Sequence, residues 1–71
     1  MANEIVAEMV ANVWKVVAEP GAALAAGDTV VILESMKMEI PVLTDHAGTL
    51  AEVRVREGDV VQEGDILAVV A

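Results

Sequence analysis

Residues 29–44 read Thr-Val-Val-Ile-Leu-Glu-Ser-Met-Lys-Met-Glu-Ile-Pro-Val-Leu-Thr, and the fold turns on whether this run is one strand or two. Taken as one, Met36 and Met38 sit on a single face as core packing, which is the usual fate of a methionine stripe. A single strand from Thr29 to Thr44 far exceeds the usual ~3–10 residues, however, so a turn is needed inside it. Glu34 and Glu39 bracket Ser35-Met36-Lys37-Met38 and favour solvent there. A hairpin centred on Met36-Lys37 follows. Two-residue hairpin loops prefer Asn-Gly, Asp-Gly or Gly-X, because their central residues take positive φ. An ordinary residue held there costs roughly 1–2 kcal/mol. Met-Lys is a poor choice for folding, and a cost without a folding benefit points to recognition of that lysine by another protein.

Working outward, the chain repeats itself at a spacing of 37 residues. Gly21 falls on Gly58, Gly27 on Gly64, Asp28 on Asp65 and Val16 on Val53. Apolar character also matches at Val13/Leu50, Leu24/Val61, Val30/Leu67, Ile32/Val69 and Leu33/Val70, and Ala11 falls on Gly48. Two copies are too few for a solenoid. Facing each other across a pseudo-twofold axis, they can close a flattened barrel or sandwich in which each covers the other's apolar face. Copy one runs to about Leu33 and copy two starts near Ile40, so Lys37 lies at their join and the chain ends lie away from it.

The local patterns predict strands over 3–8 (an edge), 11–18, 29–35, 38–44, 49–56 and 66–71. Segments 22–26 and 59–63 read as connectors, since five residues cannot nucleate a helix. Glu19-Pro20-Gly21, Gly27-Asp28 and 45–48 carry turn chemistry. Pro41 donates no ladder bond and belongs at an edge or bulge. Trp14 is expected to pack in the core or between sheets, and Val16 and Val53 in the core. No segment has a convincing helical pattern.

Composition bounds the function. At 71 residues, with 14 Val, 12 Ala, 5 Leu, 4 Ile and one tryptophan as the only aromatic residue, the chain makes one small domain, 1–71, with an aliphatic core. It has no cysteine, so no disulfide staples it. A net charge of −8 argues against binding nucleic acid or anionic membranes. No apolar stretch reaches the ~18 residues of a membrane helix. The acidic N-terminus resembles neither a secretory signal nor a transit peptide, so the cytoplasm is the expected location. His46 has no nucleophile partner and reads as a turn residue. Glu57-Gly58-Asp59 and Glu63-Gly64-Asp65 lack calcium-loop spacing. An enzyme is the least supported class.

The Ser35-Met36-Lys37-Met38 motif at the centre of a duplication resembles the attachment motif of biotinyl domains, the carrier modules of biotin-dependent carboxylases. The resemblance covers nearly the whole chain and is nearest to small free-standing biotinylated carriers. It implies an all-β fold, a flattened sandwich of two four-stranded antiparallel sheets with pseudo-twofold symmetry. It also implies biotin joined to Lys37 by an amide through an ATP-using biotin protein ligase. An exposed lysine is protonated at neutral pH, so the ligase must deprotonate it. A biotin carboxylase then loads a carboxyl group and a carboxyltransferase passes it to an acceptor, often an acyl-CoA. Met36, Met38, Ser35, Glu34 and Glu39 are the expected recognition residues for the ligase and partners. The domain itself is expected to be monomeric and non-catalytic.

Some departures stand out. Many relatives have Ala where Ser35 stands, and Pro-Gly where this chain has Val10-Ala11. The short Ala18–Gly27 connection leaves no room for the thumb-like insertion of some carriers, so the arm is expected to swing freely. Two alternatives remain. A lipoyl domain shares the fold, but lipoyl motifs usually read Asp-Lys-Ala around the lysine. An unmodified hairpin module of the membrane-fusion type usually carries a helical insertion at this tip.

Overall fold

Valine-rich segments with branched side chains favour the extended backbone, and the computed structural model, which describes residues 2–71, contains eight strands. They are β1 (Asn3–Val6), β2 (Ala11–Val16), β3 (Ala23–Leu24), β4 (Thr29–Ser35), β5 (Met38–Leu43), β6 (Gly48–Val53), β7 (Val60–Val61) and β8 (Ile66–Val70). They form two four-stranded sheets in the orders β1-β8-β6-β3 and β5-β4-β2-β7, with every pairing antiparallel. This is the expected all-β sandwich. The two copies do not face each other as separate layers, however. Each contributes two strands to each sheet, so the halves interleave. The two short strands stand where connectors were expected. Two residues show no periodicity, and only pairing with β6 and β2 makes them strands.

The 37-residue repeat is kept in the backbone down to its irregularities. The β2–β4 register slips at Trp14 and the β6–β8 register at its repeat mate Ala51. The β4–β5 register slips at Val30 and the β1–β8 register at its mate Leu67. An extra residue interrupts strand alternation. That lets adjacent Val30 and Val31, and adjacent Leu67 and Ala68, all be fully buried. Turn bonds repeat as well. The Gly27 N–H donates to the Thr44 carbonyl at 2.7 Å, and the Gly64 N–H to that of Ala7 at 2.8 Å. Gly27 and Gly64 take φ of 93° and 92°, a region that disfavours a Cβ. The following aspartates close each turn, Asp28 Oδ2 accepting from the Ala25 N–H at 2.9 Å and Asp65 Oδ2 from that of Gln62 at 2.8 Å. Asp59 likewise accepts from the Arg56 N–H. The acidic Gly-Asp motifs therefore serve turns.

The core is entirely aliphatic, with Val13, Val30, Val31, Leu33, Leu50, Val61, Leu67 and Val70 at its centre. Val16 and Val53 are only partly buried, packed against its margin rather than inside it. Trp14 departs from expectation. It is 44% exposed, because Ala11 and Val13 take the core face and alternation turns Asn12 and Trp14 outward, while the bulge brings Val16 back toward the core. Thr44 is the one buried polar residue among those described, and its hydroxyl donates to the His46 carbonyl at 2.8 Å and accepts from the His46 N–H at 3.2 Å. Pro41 lies on β5, an edge strand, where a missing N–H breaks no ladder.

The molecule is elongated, 32 × 18 × 17 Å. Asn3 pairs with Val70, so both ends of the described chain leave side by side. Residues 45–47 link the base of the β4–β5 hairpin to Gly48, which packs on Ala71. A Cβ on Gly48 would run into the Ala71 carbonyl oxygen. The seven residues of β4, at ~3.3 Å each, then place the hairpin tip about 20 Å from the chain ends.

Candidate functional site

The β4–β5 ladder runs Leu33↔Ile40, Glu34↔Glu39, Ser35↔Met38, which leaves Met36 and Lys37 as a two-residue loop. Their φ angles are 53° and 64°, the only positive values at non-glycine residues among those described. Both lie in the left-handed region that type I′ hairpins require. The expected strain is present twice, on residues with full side chains, at the tip of the long axis. Met36 is 92% exposed and Met38 65% exposed, so neither packs in the core. Lys37 is exposed, and among the described residues the ion pair formed is Arg54–Glu52, which leaves the Lys37 amine unengaged.

Strand alternation fixes what surrounds the lysine. Buried Leu33 and its partner Ile40 point to the core, so Glu34 and Glu39 point together from the outer face of the sheet. Like charges directly opposite in a ladder are destabilising. The tip thus combines a strained turn, a facing carboxylate pair and two solvated thioethers, all adverse to folding alone. Ser35 and Glu34 are half-buried and Glu39 is exposed. The structure brings all six expected residues into one hairpin. The direct pairing of Glu34 with Glu39 follows from register, which the sequence discloses only once the turn is placed.

Other candidates fall outside this arrangement. His46 is exposed in the 45–47 turn and positioned by Thr44. A groove of about 310 Å³ between edge strands β1 and β5 is lined by Ile5, Ile40, Val42 and Glu4 among others. No helix of the described residues is long and apolar enough to cross a membrane.

A primary amine held free on a rigid two-residue turn suits attachment of a carboxylic acid through an amide. The geometry is that of an attachment domain, a scaffold that displays one lysine. The family model Biotin_lipoyl, described as "Biotin-requiring enzyme", matches residues 1–70, and the chain belongs to this family. It is 51% identical over 71 residues to the biotinylated protein TB7.3 homolog of Mycobacterium leprae, covering 100% of both chains. It is 50% identical over 60 residues to the biotin/lipoyl attachment protein of Bacillus subtilis, covering 84% of this chain and 82% of that one. Among solved structures, the urea carboxylase of Kluyveromyces lactis matches with a TM-score of 0.95 and 35% identity, covering 100% of this chain and 6% of that one.

Proposed function

We propose that residues 1–71 act as one non-catalytic carrier domain holding biotin on Lys37, and that it shuttles a carboxyl group between a biotin carboxylase and a carboxyltransferase in the cytoplasm. The observation that carries this reading is the Met36-Lys37 turn, where two residues with full side chains hold positive φ and the lysine stands exposed. Family membership and the likeness to biotinylated relatives support biotin as the attached group. When bound, biotin supplies a ureido nitrogen that accepts and releases the carboxyl group; the difficult chemistry belongs to the cofactor and the partners' active sites.

The chain's own residues present and orient. At Lys37 Nζ the amine gives up its proton to the ligase's base and forms an amide with the ATP-activated carboxyl group. AMP leaves as the acyl–phosphate bond breaks, and a chain of net charge −8 loses one positive charge. A biotin protein ligase supplies the base. The rigid turn fixes where the arm starts, and tethering raises its local concentration at both partner sites. Met36 and Met38 offer flexible, polarizable contacts to the ligase, and Glu34, Ser35 and Glu39 form the rim it meets. Methionine on both sides of the lysine separates the motif from the Asp-Lys-Ala pattern of lipoyl domains.

Intact mass after co-expression with a biotin ligase, and separately with a lipoate ligase, tests this. One biotinyl adduct localised to Lys37 is expected. A lipoyl adduct without a biotinyl one, or no adduct, would overturn it.

A further inference from the structure

The two outer sheet faces are built on the same repeated backbone, and the mates Val6 and Leu43 are exposed on both, yet the surfaces differ at Val10, Trp14, Val17 and Val60. Among the described residues, Val10, Trp14, Val17, Met36, Met38, Leu43 and Val60 are exposed large hydrophobics on or beside the β5-β4-β2-β7 sheet, whereas the other sheet has Val6 alone. The repeat mates of Val10, Trp14 and Val60 are Ala47, Ala51 and Ala23, and that of Val17 is Arg54, paired with Glu52. Asn12 pairs with Val60, so Val60, Val10 and Trp14 are neighbours on one face. Val60 is 68% and Val10 65% exposed. Alternation with buried Ala11 and Val13 presents the indole outward beside Asn12, and a rigid aromatic amid smaller apolar groups is the composition of an interface hot spot. Toward the tip the same face carries the facing carboxylates of Glu34 and Glu39.

We infer that this face, centred on Trp14, is the surface on which the biotin carboxylase docks; the inference rests on the carrier reading above. Charge complementarity supports this occupant, and the ligase, which also binds anions, is separated from it by the test below. An enzyme that binds ATP and bicarbonate together surrounds its active-site mouth with positive potential, which complements Glu34, Glu39 and a chain of net charge −8. A second copy of the chain brings the same negative charge and is disfavoured. The face also begins behind the tip, so an enzyme seated on it leaves Lys37 and its arm free to enter the active site.

The test uses the full chain, biotinylated, as substrate of the biotin carboxylase of the same organism. Trp14→Ala alone, and combined with Val10→Ala and Val60→Ala, give this sheet the alanines already tolerated at the mate positions, so folding is preserved and is checked by melting. The KM for the carrier is expected to rise at least tenfold with kcat unchanged, and the wild-type KM to rise with salt. The ligase KM is expected to stay the same. An unchanged carboxylase KM, a raised ligase KM, or a wild-type dimer dissociated by the variants would each overturn the docking face. A wild-type chain that is biotinylated but never carboxylated would instead sink the carrier reading.

Discussion

Residues 3–33 and 40–70 share a backbone but not a surface. Both halves place bulges, glycine turns and buried aliphatics at matching positions, even where the residues differ, as at Val30 and Leu67. Where they diverge, the divergence lies on the sheet that carries the lysine hairpin: Trp14 against Ala51, Val17 against Arg54, Val60 against Ala23. The difference teaches that folding constraints are met by what the halves have in common. What a half has alone is available for recognition.

The largest effect expected from breaking this division is at Lys37. Lys37→Arg should abolish biotin loading, read by mass, while shifting stability by less than roughly 0.5 kcal/mol, as for other exposed positions. A large fall in Tm would make Lys37 structural. Gly48→Ala tests a place where the halves differ for a folding reason. Its mate Ala11 carries a Cβ, yet a Cβ on Gly48 meets the Ala71 carbonyl. Overpacking of this kind costs about 1–3 kcal/mol, or very roughly 5–20 °C in Tm for a domain of this size; thermal melting at the wild-type level would contradict the close approach.

Val16→Ala and Val53→Ala probe what the halves share. Both valines pack against the margin of the core, and each loss should cost about 1 kcal/mol, alike to within ~0.5 kcal/mol, by urea denaturation. Unequal costs would show that the pseudo-symmetry fails in packing. The smallest effect has the opposite sign. Met36→Asn puts a residue tolerant of the left-handed region at φ 53° and should stabilise by up to ~1 kcal/mol. The same variant should be a poorer ligase substrate, read as a raised KM. A variant both more stable and equally well biotinylated would remove the functional reason for methionine at the tip.

Much of this was legible in the sequence because it rests on local chemistry. Gly-Asp pairs announce their turns, valine-rich runs announce strands, and Met-Lys at a necessary hairpin announces a cost. The interleaving of halves was not, because strand partners are chosen by tertiary packing. Nor was the outward Trp14. Strict alternation groups Trp14 with Val16 and Val13 with Lys15. Only the slip lets Val13 and Val16 both turn toward the core and leave Trp14 outside, and a bulge leaves no local signature in Asn-Val-Trp-Lys-Val. The same slip hides the apolar outer face. Glu34 and Glu39 were visible as a rim, but their direct opposition needed the observed pairing.

The side-by-side exit of Asn3 and Val70, at the end remote from the tip, has a consequence for architecture. A polypeptide spliced in through that end enters and leaves at nearly one point, so the unit is a cassette. It can be strung onto a leash, or inserted into a larger chain, without a linker crossing the lysine's path. By the repeat, the tip is the site where the equivalent pair of ends has been fused into a loop. One junction presents the lysine, and the other, at the far end of the sandwich, is where a neighbouring segment would join.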